Sequence, residues 1–213
     1  MHWRVGLAAV AIVAVLCVTL FRRASHSDVD VGFWYEEFPV SFSAPVTAAL
    51  GGPLTTSELD AIKQVSRYEL TQAFSGLRVR IIDGRGARHT VRVQLSIERR
   101  KGQRLPNAGE TFAMGPFGAR SLVDFTEVLM AAIAHAPAGT TREQLVAGIG
   151  RGIGRVAVHE LAHSFLGVQA MDNRTDDRSY EYFTHNRRSQ YFGQLHWAGA
   201  WPVLVERMGR LSS

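Results

Sequence analysis

Val156-Ala157-Val158-His159-Glu160-Leu161-Ala162-His163-Ser164-Phe165-Leu166 is the stretch that decides how this 213-residue chain is read. Glu160 is its only carboxylate or fixed cation, and every other residue suits the buried part of a helix. Residues i and i+4 of a helix lie one above the other, so His159 and His163 share a face. Two imidazoles so placed can hold a single tetrahedral ion at ordinary Zn–N distances. Glu160 lies about 100° round the helix from His159 and about 60° from His163, beside such an ion. A carboxylate there can take a proton from water activated by the metal and pass it to a leaving amine. The uncharged surround raises the worth of the ion's charge. Two stacked buried histidines would be costly without a partner, which argues against a purely structural pair.

The signals either side extend this helix. Ala136-Pro137-Ala138-Gly139 breaks what precedes it, and Thr140 with Glu143 three residues on reads as a capping box. The active-site helix is therefore expected over about 141–166, stopped by Gly167. Gly148, Gly150, Gly152 and Gly154 each weaken it by about 1 kcal/mol relative to Ala, so their alternation predicts a bend or the close approach of another backbone. Upstream, residues 56–75 read as a helix capped by Thr56 or Ser57, with a stripe of Leu59, Ile62, Val65, Leu70 and Phe74 and a stop at Gly76. Residues 77–82 and 90–97 read as strands joined by Asp83-Gly84-Arg85-Gly86, which predicts a hairpin. Residues 31–53 read as irregular or short-strand structure, and 99–118 as a Gly- and Pro-rich loop. A short strand at 121–125 competes with a helix over 122–134. Near the C-terminus, Tyr191, Phe192, Trp197 and Trp201 are expected to build core, and 196–211 a helix interrupted at Pro202.

Composition bounds the class. Hydrophobic content of 46% with 20% charged residues is that of a globular chain, long enough for one domain and a tail. The net charge is +5, with Lys63 and Lys101 the only lysines. Basic residues concentrate between 78 and 104, where alternating strand faces account for them, and no nucleic-acid partner is expected. Cys17 is the sole cysteine, which excludes a disulfide within the chain and a Cys-type structural zinc site. Residues 5–21 are an uncharged apolar run flanked by Arg4 and Arg22-Arg23, with no small-x-small cleavage site after it. This reads as a transmembrane signal anchor rather than a cleaved signal peptide, placing the remainder outside the cytoplasm. The expected organisation is an anchor over 1–23, a linker with a packed irregular segment over 24–55, and a catalytic domain over 56–213.

With its H-E-x-x-H helix preceded by a helix, strands and a Gly-rich segment, the chain resembles the zincin metallopeptidases over roughly residues 56–200. The resemblance implies an α+β fold with a small mixed sheet, a long active-site helix and a mostly helical or irregular C-terminal subdomain. It further implies Zn²⁺ held by His159 and His163, Glu160 as general base, and a peptide substrate lying along the sheet's edge strand. Gly167 is similar to the metzincin glycine but sits one residue late, Gln169 stands where that pattern places a third ligand, and neither Met171 nor Met208 suits a Met-turn. The third ligand is expected to be Asp172, with Glu181 the alternative and His185 or His196 further options. Tyr180, Tyr182 and Tyr191 could each offer a phenol to an oxyanion. The rival expectation is a zincin-like module that holds metal, or serves structurally in the envelope, without catalysis.

Overall fold

The computed structural model describes residues 28–37, 42, 44–96, 108–113, 118–166 and 171–211. The apolar N-terminal run, Cys17, Gly167 and Gln169 lie outside the described residues. Among those described, no helix is long and apolar enough to cross a membrane.

The fold is mixed α/β, compatible with the α+β class. Strands β1 (Val29–Tyr35), β2 (Val79–Asp83), β3 (His89–Gln94), β4 (Gly109–Ala113) and β5 (Ala119–Asp124) form one sheet in the order β2-β1-β3-β5-β4. Four strands run parallel, and β4 alone is antiparallel, at the edge. Six helices are described: α1 (Ala44–Ala49), α2 (Thr56–Ala73), α3 (Phe125–Ala134), α4 (Arg142–Leu166), α5 (Arg188–Phe192) and α6 (Trp201–Met208). Val31, Phe33, Val91, Val93 and Val123 face the helices and are buried. Period-two alternation sends their neighbours to the opposite face.

The expected hairpin does not form. β1, drawn from the segment expected to be irregular or short-strand structure, lies between β2 and β3 and runs parallel to both, with Val31 opposite Ile81 on one side and His89 on the other. Residues 84–88 therefore have to cross the face of β1. They can because residue 32 is glycine: a Cβ there would stand 2.2 Å from the Gly84 carbonyl oxygen. Two alternating runs flanking an Asp-Gly turn look like a hairpin locally, whereas the inserted strand is a long-range choice that periodicity cannot register. β4 likewise falls inside the segment expected to be loop. Its inward positions are Gly109 and Thr111, so it shows no apolar alternation.

Capping differs from expectation by one residue at both long helices. Thr55 caps α2, its hydroxyl accepting from Glu58 N (3.2 Å) while its own N–H donates to Glu58 Oε2 (2.8 Å). At α4 the reciprocal pair is Thr141 with Gln144, not Thr140 with Glu143 (Gln144 N to Thr141 Oγ1 3.2 Å; Thr141 N to Gln144 Oε1 3.0 Å). The spacing is the same, and Thr140 instead donates its hydroxyl to Pro137 O. Strand β5 and helix α3 both exist, joined at Asp124, which caps α3 by accepting from Glu127 N at 2.9 Å. Helix α6 starts at Trp201 with Pro202 in its first turn, where a missing N–H costs nothing, so Pro202 opens the helix rather than interrupting it.

The alternating glycines of α4 divide between two neighbours. A Cβ at Gly150 would come within 2.9 Å of Ile62 O, and one at Gly154 within 2.5 Å of Ser66 O, so this pair lets the α2 backbone in. A Cβ at Gly148 would meet the Phe192 ring at 2.8 Å and one at Gly152 the Tyr191 ring at 2.5 Å. The helix is thus buried on nearly every side. Tyr191 is fully buried, and Phe192, Trp197 and Trp201 pack against the core as expected.

Candidate metal centre

One turn of α4 carries His159 and His163, whose Nε2 atoms lie 3.1 Å apart. Asp172 brings Oδ1 to 3.3 Å from the first and 3.6 Å from the second. Two ligands on a tetrahedral zinc at ordinary bond lengths are separated by about 3.3–3.4 Å, so this triangle has the size that one ion requires. The tautomer also fits. His159 donates its Nδ1–H to the Tyr180 carbonyl at 2.8 Å, which leaves Nε2 as the free lone pair on the neutral ring. Two lone pairs and a carboxylate oxygen then converge. A single proton satisfies two such atoms at most, whereas a metal ion satisfies all of them. His163 Nδ1 is buried and has no hydrogen-bond partner among the described residues.

Asp172 reaches this point in a left-handed conformation, φ 63°, and is the only non-glycine with positive φ among the described residues. Asp tolerates that region better than most residues, yet it remains uncommon and tends to mark sites where side-chain placement matters. Glu181, the alternative ligand, is not brought to the imidazoles. Its carboxylate accepts from Ala198 N (2.9 Å) and Ala200 N (2.6 Å) and holds the chain leading into α6. His196 pairs with Asp176 at 2.9 Å on the surface. His185 does approach: its ring stands edge-to-face on His159 with centroids 4.7 Å apart. His159, Glu160 and His185 offer ligand atoms all within 4.8 Å of one another, a second grouping able to hold a cation.

Glu160 is seated by the edge strand. A Cβ at Gly109 would lie 2.6 Å from Glu160 Cγ and Oε1, so only glycine leaves room for the carboxylate under β4. Two residues on, Thr111 Oγ1 lies 2.7 Å from Glu160 Oε2 and 2.9 Å from Ser121 Oγ. Burial raises the Glu160 pKa, against the pull of His159 and the Thr111 hydrogen bond. With no ion present, burial works against charge on His159, but Asp172, Glu160 and the Tyr180 carbonyl outweigh it and the pKa rises. The His159 hydrogen bond lowers Asp172. Burial lowers His163, and lowers His185 well below the usual imidazole value.

Arg155, one turn before His159, holds the C-terminal segment to this helix. It is 5% exposed. Its Nε donates to Glu69 on α2 at 2.9 Å, and its Nη1 donates to the carbonyls of Ser189, Gln190 and Gly193 at 3.0–3.1 Å. Of the phenols, Tyr191 is core, Tyr182 lies under the Arg187 guanidinium, and Tyr180 packs at a tilt against Trp197. Sequence reasoning missed Gly109, Thr111 and Arg155. Nothing local distinguishes the first two, while an arginine in an otherwise apolar turn was a visible oddity.

The chain matches no protein-family model, and no curated protein is significantly similar to it.

Proposed function

We propose that this chain is a zinc-dependent peptidase of zincin type, with His159, His163 and Asp172 as ligands and Glu160 as general base. The observation that carries the reading is the 3.1–3.6 Å triangle of two Nε2 atoms and one carboxylate oxygen, with the His159 proton already spent on Tyr180 O. Zn²⁺, when bound, supplies a Lewis acid that polarises a carbonyl and lowers the pKa of a water toward ~7. The chain's own residues do the rest. Glu160, whose pKa burial moves toward the working pH, accepts the proton of the attacking water and returns it to the departing amine. Thr111 holds Oε2, so the carboxylate keeps one orientation while Oε1 does the transfer. Strand β4 is the sheet's edge, and an extended substrate can pair with its backbone beside Glu160.

The test is elemental analysis of purified protein together with hydrolysis of a quenched peptide library, with and without chelator. Glu160→Gln is expected to keep zinc and lose about 10²–10⁴-fold in kcat. His159→Ala is expected to lose both. A protein that takes up no zinc, or a Glu160→Gln variant with undiminished zinc-dependent hydrolysis, overturns the proposal.

One observation favours the non-catalytic rival. His185 stands 4.7 Å from His159 ring to ring, and if it joined His159, His163 and Asp172 the protein would fill four positions and leave none open, as in structural zinc sites. Cobalt substitution separates the two. A catalytic site changes its visible spectrum when an anion such as azide is added, and a closed site does not.

A further inference from the structure

One cavity lies away from the metal centre. It has a volume of about 650 Å³ and opens on the face of the sheet turned away from the helices. Strand alternation puts Trp34, Arg92, Phe112 and Arg120 on that face, because each neighbours an inward-facing residue. Arg85 and Arg88 are carried there by the 84–88 crossing. Two glycines allow that crossing: Gly32 under Gly84, and Gly118, where a Cβ would stand 2.0 Å from Arg88 O. The notch in β1 therefore does more than connect two strands, since it brings Arg85 and Arg88 to the cavity that Arg92 and Arg120 also line.

The charge of this cavity is one-sided. Four arginines line it, and among the described lining residues there is no carboxylate. Arg92 pairs with Glu36 at 3.0 Å from the side, yet among the described residues its buried Nε has no partner, nor has the buried indole Nε1 of Trp34. Arg85 stacks over the Trp34 ring at 5.6 Å, and neither it nor Arg120 has a carboxylate partner among the described residues. Arg85 and Arg120, which have no carboxylate partner among the described residues, stand beside two further guanidinium groups, and cations so gathered repel one another and disfavour the folded state. The planar fork of arginine matches phosphate oxygens two at a time, so one anion would relieve several of these groups together. The volume falls within the range of small-ligand sites.

We infer that the outer face of the sheet is an anion site for a phosphate group, gripped by Arg85, Arg92 and Arg120 and independent of the metal centre. The phosphate could belong to a soluble phosphate ester or to a lipid headgroup, and the two sources are separable. Full-length protein is titrated with pyrophosphate against sodium chloride at equal ionic strength, following Trp fluorescence and melting temperature. It is also mixed with vesicles containing phosphatidic acid or phosphatidylcholine alone.

Pyrophosphate is expected to raise the melting temperature where chloride does not, and Arg120→Gln or Arg85→Gln to weaken binding by about tenfold or more each. Lys63→Gln, with the same charge change on the exposed face of α2, is expected to bind as the parent does. Preference for phosphatidic acid vesicles that the arginine variants remove, with no response to pyrophosphate, assigns the site to a headgroup. Neither response, or responses that Arg85→Gln and Arg120→Gln leave unchanged, overturns the inference. Zinc content read in the same samples keeps the result apart from the fate of the peptidase proposal.

Discussion

Helix α4 with its sheet, and residues 171–200, meet at the same two imidazoles but are held by different interactions. The first region is built by shape. Gly150 and Gly154 admit the α2 backbone, Gly148 and Gly152 admit aromatic rings, and Val156, Ala157, Val158, Leu161 and Ala162 are buried between them. The second region has little regular structure and is built by charge against backbone. Arg155 takes three carbonyls, Arg187 takes Ser179 O and Thr184 O, and Glu181 takes two N–H groups. A shape-packed element fixes the histidines rigidly. A segment tied by charged groups to its backbone can place Asp172, His185 and the Tyr180 carbonyl with no helix of its own but the short α5. The proposed centre needs both, since His159 and His163 come from one side and Asp172 from the other.

Breaking the charged tie should have the largest effect. Arg155→Met leaves the half-buried Glu69 without its partner and frees three carbonyls, a loss of about 3–5 kcal/mol. Urea unfolding should show it, with zinc uptake lost in parallel because the 171–200 segment detaches. A variant that unfolds at the parent's urea midpoint would mean the segment is held by packing after all.

The two acidic residues of that segment sharpen the contrast. Glu181→Ala strands the buried Ala200 N–H and should cost about 1–3 kcal/mol, while the folded fraction still binds zinc. Asp172→Ala should do the reverse. Its side chain is 43% exposed, so stability changes little, but zinc affinity falls by more than the 10–100-fold typical of losing an outer hydrogen-bond partner. Competition with a chromogenic chelator measures the second, and denaturant unfolding the first. Equal zinc affinity in both variants would return Glu181 to consideration as a ligand.

On the shape-packed side, Gly154→Ala should destabilise by about 1–3 kcal/mol despite the better helix propensity of Ala, because the new Cβ meets backbone. Gly148→Ala meets the far edge of the Phe192 ring, which can turn aside, and should cost less. Calorimetry on the pair tests whether backbone contact, rather than crowding in general, is what the glycines relieve.

The smallest effect concerns pH. The Arg142 hydrogen bond lowers Glu58 to about 2, against burial, with Thr55 adding to it. A carboxylate depressed in the folded state contributes stability that is complete above its unfolded value and lost as pH falls through the folded one. The melting-temperature gap between parent and Glu58→Gln should therefore be constant above pH ~4.5 and narrow toward pH ~2. A gap that stays constant across that window would show that the pair contributes nothing through ionisation.

What could be read in advance followed the range of the interactions. The i, i+4 histidines, the α2 stripe and the glycine alternation depend on neighbours within a turn or two, and all are found where the sequence put them. Caps slipped by one residue because Thr55, Thr56 and Ser57, or Thr140 and Thr141, are chemically interchangeable locally, and only the backbone picks one. The hairpin was misread because β1 enters between two strands that are adjacent in sequence. β4 was unreadable because its inward face serves Glu160 and not the core.

The sequence by itself determined that two imidazoles and a carboxylate share one helical face in an apolar surround, because helix geometry is set by consecutive residues. Only the tertiary structure decided that Asp172 closes on those rings while Glu181 turns to backbone N–H groups. It alone also decided that Gly109 and Thr111 seat Glu160, and that four arginines gather on the far face of the sheet. Those outcomes depend on which distant backbones approach one another, and strand order and a crossing over Gly32 are not encoded in any local spacing.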